Sequence, residues 1–467
     1  MIKVVNFGCR LNNFEGKKIE ELIPQQDNII VINSCAVTNE TERQVRQTIR
    51  RARKENPNAK LVMTGCAAQI SPDDYKTMPE IDYVIDNINK LKQKTWDEIL
   101  TDHQSTPFLE DIFTNPLDVE PSLQNESFGV RESLVIQQGC NHRCTFCIIP
   151  FGRGDNRSFD HSYLIDEVKR HVDNGVKEIV LTGVDISDYG SDFDHHYCMS
   201  LLIKDILQQT SLERLRLSSI DCVEVDEHFF EILGNDRLMP HLHLSIQSGD
   251  AMILKRMKRR HNPEDVNNFI ERCRKVRNEI TFGADIIAGF PTENEEMFQN
   301  TYNLLKDNQI SHLHIFPFSP KKNTPAARMP QLEKSIIKNR AQDLRYLGDN
   351  LLNLVKKMGG MSGLMSYMPG VGKIKSMMEN ADFDEKIIDH QIAIIRSMTK
   401  QERSDPDILK ASRKRRIASG SGRQVHEVNR LLKQFEQTKK MMKQAQKPGF
   451  ANKIKNLLGG SQMPTIE

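Results

Sequence analysis

The most informative segment of this chain is Gly139-Cys140-Asn141-His142-Arg143-Cys144-Thr145-Phe146-Cys147. Its three cysteines have the spacing CxxxCxxC and come directly after an apolar, β-rich run at residues 133–137. Further runs of this kind alternate with helical patterns at 178–182, 214–217, 241–246, 281–287 and 312–316. Six such units predict a partial (β/α)6 barrel, in which functional side chains lie at the carboxyl ends of the strands.

Three cysteines on one short loop suit an iron-sulfur cluster. Three thiolates can ligate three irons of a 4Fe-4S cluster and leave the fourth iron open. S-adenosylmethionine can chelate that iron through its amino and carboxyl groups, so that one electron breaks a carbon-sulfur bond and yields a 5′-deoxyadenosyl radical. The alternative is a structural zinc loop, but zinc usually takes four ligands and no fourth Cys or His recurs at zinc-finger spacing. We therefore assign Cys140, Cys144 and Cys147 as catalytic cluster ligands.

Residues 1–101 predict an open parallel sheet with a cysteine at the end of each of three strands. The apolar runs are 2–7, 28–32 and 60–63, with helical patterns such as 40–56 between them. The carboxyl ends of neighbouring parallel strands share one sheet edge, about 4.8 Å apart, so we expect Cys9, Cys35 and Cys66 to converge there. Such a triplet can also hold a cluster with an open iron. The alternative is three buried thiols, since cysteine is commonly buried.

The first triplet, at the end of a barrel strand, resembles the radical S-adenosylmethionine superfamily, and three N-terminal segments resemble motifs of the methylthiotransferases. These segments are Phe7-Gly8-Cys9-Arg10-Leu11-Asn12, Asn33-Ser34-Cys35-Ala36-Val37-Thr38 and Thr64-Gly65-Cys66-Ala67-Ala68-Gln69. The residues of these motifs are most similar to those of the branch that acts on N6-threonylcarbamoyladenosine in tRNA. The resemblance covers about residues 1–348. It implies a second 4Fe-4S cluster on Cys9, Cys35 and Cys66, and an enzyme that puts a methylthio group on carbon 2 of that adenine, next to the anticodon.

The resemblance also marks the S-adenosylmethionine pocket. Segment 182–185 corresponds to the motif near the methionine amino group, and segments 245–249 and 283–291 correspond to the ribose and adenine sides. Taken alone, these segments are ordinary strand ends with glycine. The candidate cofactor-binding residues are Gly183, Asp185, Gln247, Asp285 and Ile287.

The charge of the chain is divided unevenly. The net charge is +2, but residues 350–467 hold 22 Lys and Arg against 11 Asp and Glu, whereas the rest holds 43 against 52. A basic segment favours nucleic acid as a partner, and the alternative is a solvated helical surface. The arginine-rich helical pattern at 40–56 can likewise be interpreted as a contact for RNA phosphates or as a solvated helical surface.

The basic segment is similar to the methionine-rich domain of the signal recognition particle protein. The similarity is carried by 393–399, 412–422 and 429–435, which predict a basic helix-turn-helix that binds RNA. The RNA-binding residues it implies are Ser412, Arg413, Arg415, Arg416, Gly420, Ser421 and Gly422. No GxxxxGK phosphate loop is present, and the first apolar helix of that domain is reduced to about 350–355. A closed signal-peptide groove is therefore not expected, although methionines such as Met361 and Met365 suit varied apolar ligands.

The sequence thus predicts a fusion of an α/β enzyme body with an all-α helical domain. The expected parts are an N-terminal domain (1–101), a linker (102–127), a radical S-adenosylmethionine core (128–348), an RNA-binding domain (350–445) and a flexible tail (446–467). No apolar stretch reaches the roughly 20 residues of a membrane span and no signal peptide is evident, so the expected location is cytoplasmic. The expected partners are tRNA and an external electron donor, with the particle's RNA as a further candidate. The competing hypotheses are an RNA- or signal-sequence-binding module with an inactive body, and an accidental gene fusion.

Overall fold

The computed structural model describes residues 2–24, 28–36, 38–101, 108–114 and 129–359, and then 390–391, 393–395, 397–399, 402, 406–433 and 435. The chain separates into two compact units, Met1–Gly360 and Met361–Glu467. Most of the predicted linker lies outside the described residues. The whole of the predicted tail, Met361 and Met365 also lie outside them.

The N-terminal part of the first unit is a parallel sheet of four strands in the order β1-β2-β3-β4. The strands are β1 (Ile2–Asn6), β2 (Ile29–Ser34), β3 (Lys60–Gly65) and β4 (Tyr83–Val84), and the helices are α1 (Arg10–Leu22), α2 (Asn39–Glu55), α3 (Cys66–Ile70), α4 (Asp73–Lys76) and α5 (Gln93–Leu100). Every residue of β2 is buried, as its continuous apolar run requires when helices cover both faces of a sheet. Trp96 on α5 is completely buried in one of the two cores that flank the sheet.

The second part of the first unit contains all six predicted barrel strands. The strands are β5 (Arg131–Val135), β6 (Gln137–Gln138), β7 (Arg157–Ser158), β8 (Glu178–Thr182), β9 (Arg214–Leu217), β10 (Ser219–Ile220), β11 (His241–Gln247), β12 (Thr281–Ala288) and β13 (His312–Pro317). They pair as two parallel sheets, β5-β8-β9 and β10-β11-β12-β13, with β6 and β7 as an antiparallel pair. The α/β architecture is therefore confirmed, whereas its closure into one partial barrel stays a prediction.

Helices follow most of these strands, as the alternating pattern predicted. They are α6 (Ile149–Arg153), α7 (His161–Asp173), α8 (Met199–Gln209), α9 (Glu227–Ile232), α10 (Ala251–Met257), α11 (Pro263–Val276), α12 (Glu295–Asp307) and α13 (Lys334–Gly359). In β11, Leu242, Leu244 and Ile246 are buried while the alternate residues are only half-buried. One face of the strand thus packs in the core and the other carries polar side chains. Helix α13 continues past residue 348, where the resemblance to methylthiotransferases ends.

The second unit is helical over its described residues. Helix α14 (Ala411–Ser421) is followed by a turn and a helix over 425–433. Gly422 forms the turn with a φ of +64°, a conformation that glycine adopts at little cost. A small core that includes Ile394, Met398, Ile417 and Val428 holds these helices together. Within the described residues, every helix is too short or too polar to cross a membrane.

Candidate active site

The first cysteine triplet lies on a loop that backbone hydrogen bonds hold in place. The Cys140 amide donates to the Gly154 carbonyl at 3.1 Å, and the Cys147 amide donates to the Cys144 carbonyl at 3.0 Å. Thr145 is bonded on both sides, because its amide donates to Met257 at 3.0 Å and its carbonyl accepts from Ala326 at 2.9 Å. The loop therefore has a defined position at the carboxyl end of β5, as predicted for functional residues in this type of fold.

The three thiols of this loop differ in their surroundings. Burial raises the pKa of Cys140 and of Cys147 to about 12 in each case, so both thiols keep their protons at neutral pH unless a cation displaces them. The Arg259 guanidinium lies 3.7 Å from the Cys144 sulfur and is bonded to Asp221 at 2.7 Å. The donor set of three thiols on one loop fits an iron-sulfur cluster.

The second triplet lies at the carboxyl ends of β1, β2 and β3. The strands end level with one another, because Asn6 pairs with Asn33 and Ser34 pairs with Gly65. Cys35 and Cys66 are buried and Cys9 is exposed.

Gly8 brings the first strand end close to the second. It has a φ of +105°, and a Cβ placed there would lie 2.9 Å from the Cys35 sulfur and 2.5 Å from its Cβ. Only a residue without a side chain fits this approach, so the chain just before Cys9 packs against Cys35.

Three groups of side chains, one of which includes Cys140, could hold a single metal ion. Among the described residues, three groups bring ligand atoms within 4.8 Å of one another, and neither triplet is among them. The groups are Cys140, His142 and Asp185; Asp221, Cys222 and His261; and His243, Asp285 and His314.

A buried arginine that the sequence analysis missed contacts the second triplet. Arg153, at the end of α6, donates from Nε to the Cys66 sulfur at 3.2 Å, and its Nη2 donates to Asn12 at 2.5 Å and to Glu15 at 2.9 Å. Lys90 donates to the same carboxylate at 2.6 Å. The available signal was an arginine between Gly152 and Gly154 shortly after the first triplet.

Two of the predicted cofactor residues lie beside the first triplet. The amides of Val184 and Asp185 both donate to Gln137 Oε1, at 3.0 and 2.9 Å. The Asp185 carboxylate lies 3.0 Å from His142 Nε2 and 3.9 Å from the Cys140 sulfur. At Gly183 a Cβ would lie 2.8 Å from the Gln137 carbonyl, so the turn requires glycine. This turn brings Asp185 to the cysteine loop.

The other predicted cofactor residues belong to the second parallel sheet of the core. The Asp285 carboxylate accepts from His243 at 3.0 Å and from His314 at 3.2 Å. Burial opposes its ionisation, but the two histidines outweigh burial and lower the pKa of Asp285 to about 2. Gln247 has a positive φ of 69° at the end of β11. The Ile287 side chain is buried in an apolar cluster, so it contributes shape rather than polar contacts.

The predicted RNA-binding residues share one helix and the turn that follows it. Ser412, Arg413, Arg415, Arg416, Gly420 and Gly422 are exposed, and Ser421 is half-buried. The buried Glu402 pairs with Arg413 at 3.1 Å and with Arg416 at 2.5 Å. Arg415 donates only a long bond of 3.4 Å to the Ala411 carbonyl in the described contacts. Sequence reasoning did not foresee the carboxylate that holds two of the three arginines.

The parallel sheets and the pinned CxxxCxxC loop define a radical S-adenosylmethionine enzyme. The family profile described as "Radical SAM superfamily" matches residues 134–305, "Uncharacterized protein family UPF0004" matches residues 1–86, and "Signal peptide binding domain" matches residues 322–461. A radical S-adenosylmethionine methyltransferase of Kitasatospora setae, TsrM, has the same fold with a TM-score of 0.50 at 15% identity, over 66% of this chain and 68% of that one.

Curated relatives define the particular family. Threonylcarbamoyladenosine tRNA methylthiotransferase MtaB of Rickettsia prowazekii is 45% identical over 75% of this chain and 83% of its own length. The protein of the same name in Bacillus subtilis is 35% identical over 74% of this chain and 79% of its own length. This chain belongs to the threonylcarbamoyladenosine tRNA methylthiotransferase family. The family resemblance predicted from the sequence is confirmed, and membership implies a 4Fe-4S cluster and S-adenosylmethionine.

Proposed function

We propose that this chain adds a methylthio group to carbon 2 of N6-threonylcarbamoyladenosine in tRNA, next to the anticodon. The observation that carries the proposal is that one compact unit holds both cysteine triplets at strand ends, each with an arginine beside one sulfur. The names of the relatives support the substrate.

We assign the first cluster to Cys140, Cys144 and Cys147. When bound, this cluster supplies the electron that cleaves S-adenosylmethionine, and an external donor must replenish it. Asp185 is anchored through its own amide and lies beside the loop, so its carboxylate can accept from the amino group of the methionine moiety. Gly183 allows the tight turn that places Asp185 there, and the ionised Asp285 can accept from hydroxyl or amino groups of the adenosine moiety.

We assign a second 4Fe-4S cluster to Cys9, Cys35 and Cys66. The level strand ends and the close approach at Gly8 support a shared site for the three sulfurs. Three thiolates leave one iron free, on which a sulfur species for transfer can be held.

We propose that the second unit serves as an RNA handle. Glu402 fixes Arg413 and Arg416 on the surface of α14, and burial of its carboxylate keeps both side chains in a defined orientation. Arg415 lies on the same helix and is exposed. Cations in a fixed array, next to the small residues Gly420 and Gly422, suit the phosphates of an RNA groove. The RNA is either the tRNA substrate or the RNA of a signal recognition particle.

The activity is tested by mass spectrometry of tRNA nucleosides from cells with and without this gene. We expect the 2-methylthio form of threonylcarbamoyladenosine to disappear with the gene and to return with the wild-type copy. The protein, reconstituted anaerobically, should hold about eight irons per chain and release 5′-deoxyadenosine. An unchanged nucleoside profile together with no cleavage would overturn the proposal and favour a binding module with an inactive body.

A further inference from the structure

Three ionisable side chains are completely enclosed between α1, α6 and the segment that leads into α5. Lys90 and Glu15 have no exposed side-chain surface and Arg153 has 2%. They form a chain of contacts in which the Glu15 carboxylate accepts from both cations. Enclosing three charges is costly, because an ion loses several kcal/mol of hydration in a protein interior. If these three side chains only filled space in the core, apolar side chains of similar volume would serve as well.

The enclosed group places a permanent cation beside the second triplet. Burial opposes ionisation of Glu15, but Arg153 and Lys90 outweigh it and lower the pKa of the carboxyl. Burial lowers the pKa of Lys90, so Arg153 is the permanent cation of the group. That charge lies against the second triplet, since Arg153 Nε points at the Cys66 sulfur at 3.2 Å.

The neighbourhood fixes the guanidinium in this direction. Nη1 also bonds the Glu15 carboxylate, and Nη2 bonds Asn12 and Glu15, so Nε is left to face the sulfur. Asn12 itself donates to the carbonyls of Phe7 and Ser34, which precede two of the cysteines. A second donor, Asn87, lies 3.8 Å from the same sulfur. The arrangement is a rigid cationic donor aimed at one ligand of the proposed second cluster.

We propose that Arg153, oriented by Glu15, is a positioning residue that compensates the negative charge of the second cluster. The inference rests on the proposed second cluster. Net charge and hydrogen bonds to the ligand sulfurs set the reduction potential of such clusters, so Arg153 raises that potential. It also lies only six residues after Cys147, on the helix that follows the first cluster loop. The same short segment therefore supports both clusters.

The test isolates the second cluster in the full chain. A variant with Cys140, Cys144 and Cys147 changed to Ala should bind about four irons after anaerobic reconstitution. In this background Arg153→Gln should make cluster retention against a chelator about tenfold weaker, as is typical for outer-shell partners of a metal site. The midpoint potential of the remaining cluster, from a redox titration followed by electron paramagnetic resonance, should become more negative. Arg153→Lys keeps the charge and should show a smaller shift.

Arg340→Gln is the matched control. Arg340 and Glu293 form a pair of similar burial in the same unit, 2.8 Å apart. This variant should be destabilised in thermal unfolding yet keep the cluster and its potential. If the background variant binds no iron, the proposed second cluster itself fails. If it binds iron and Arg153→Gln leaves retention and potential unchanged, or if Arg340→Gln changes them equally, the role of Arg153 is refuted while the second cluster stands.

Discussion

Replacing Asp221 by Asn should destabilise the enzyme core in a pH-dependent manner. Asp221 is 4% exposed, accepts from Arg259 at 2.7 Å and lies 3.6 Å from His261 Nδ1. Burial alone would raise the pKa of its carboxyl, but His261 and Arg259 outweigh burial and lower the pKa from 3.8 to about 2. The folded protein therefore favours the ionised form.

The magnitude follows from the two pKa values. The interval from 3.8 to about 2 corresponds to about 2.5 kcal/mol of unfolding free energy. Because the pKa is lower in the folded state, this contribution is complete above the unfolded pKa and is lost as the pH falls through that of the folded state. Asn lacks the charge, and its amide NH2 replaces one of the two carboxylate oxygens that face Arg259 and His261. A buried donor that loses its acceptor in this way causes a further loss of about 1–3 kcal/mol at every pH.

Urea unfolding followed by far-ultraviolet circular dichroism over a pH series measures the effect. We expect the gap between wild type and Asp221→Asn to be largest near neutral pH and to narrow by about 2 kcal/mol on acidification to about pH 2. Asp166→Asn is the control, since Asp166 is 74% exposed and pairs with Lys169 on the surface of α7. Its effect should stay below about 1 kcal/mol. A gap for Asp221→Asn that is constant with pH would refute the reasoning.

Three further outcomes are expected. Cys144→Ala should abolish release of 5′-deoxyadenosine, measured by chromatography, while RNA affinity stays unchanged; residual cleavage at the wild-type rate contradicts the cluster assignment. Arg415→Ala should weaken RNA binding in filter assays and reduce the salt slope by about 1, whereas Lys169→Ala should do neither. Gly8→Ala should lower the unfolding free energy by about 1–3 kcal/mol and reduce bound iron, because its φ of +105° and its contact with Cys35 exclude a side chain; full iron content would count against the second cluster site.

The strands were predictable because their signal is local. Buried parallel strands such as β2 and β8 are continuous apolar runs, and every run named from the sequence became a strand within about two residues. Strands β4, β6 and β7 have two residues each, too few to show any periodicity. Their pairing is imposed by neighbours in space, so the sequence alone does not reveal them.

The site was predictable only where its residues are close in sequence. The CxxxCxxC loop is recognisable from the spacing of its cysteines, and Asp185 is recognisable from the motif that contains it. Arg153 and Glu15 are separated by 138 positions, so nothing local indicates that they meet. In the second unit, the resemblance marked Arg413 as an RNA-binding residue but did not indicate its carboxylate partner eleven positions earlier.

The buried indole of Trp96 provides an intrinsic fluorescence probe of the N-terminal sheet. It is the single tryptophan of the chain, its ring is fully buried, and its Nε1 donates to the Lys90 carbonyl at 2.9 Å. Selective excitation of tryptophan therefore follows the sheet that carries Cys9, Cys35 and Cys66, with no background from the rest of the protein. Because iron-sulfur chromophores quench nearby indole emission, loss of fluorescence during anaerobic loading would record metal arrival in real time, without any label.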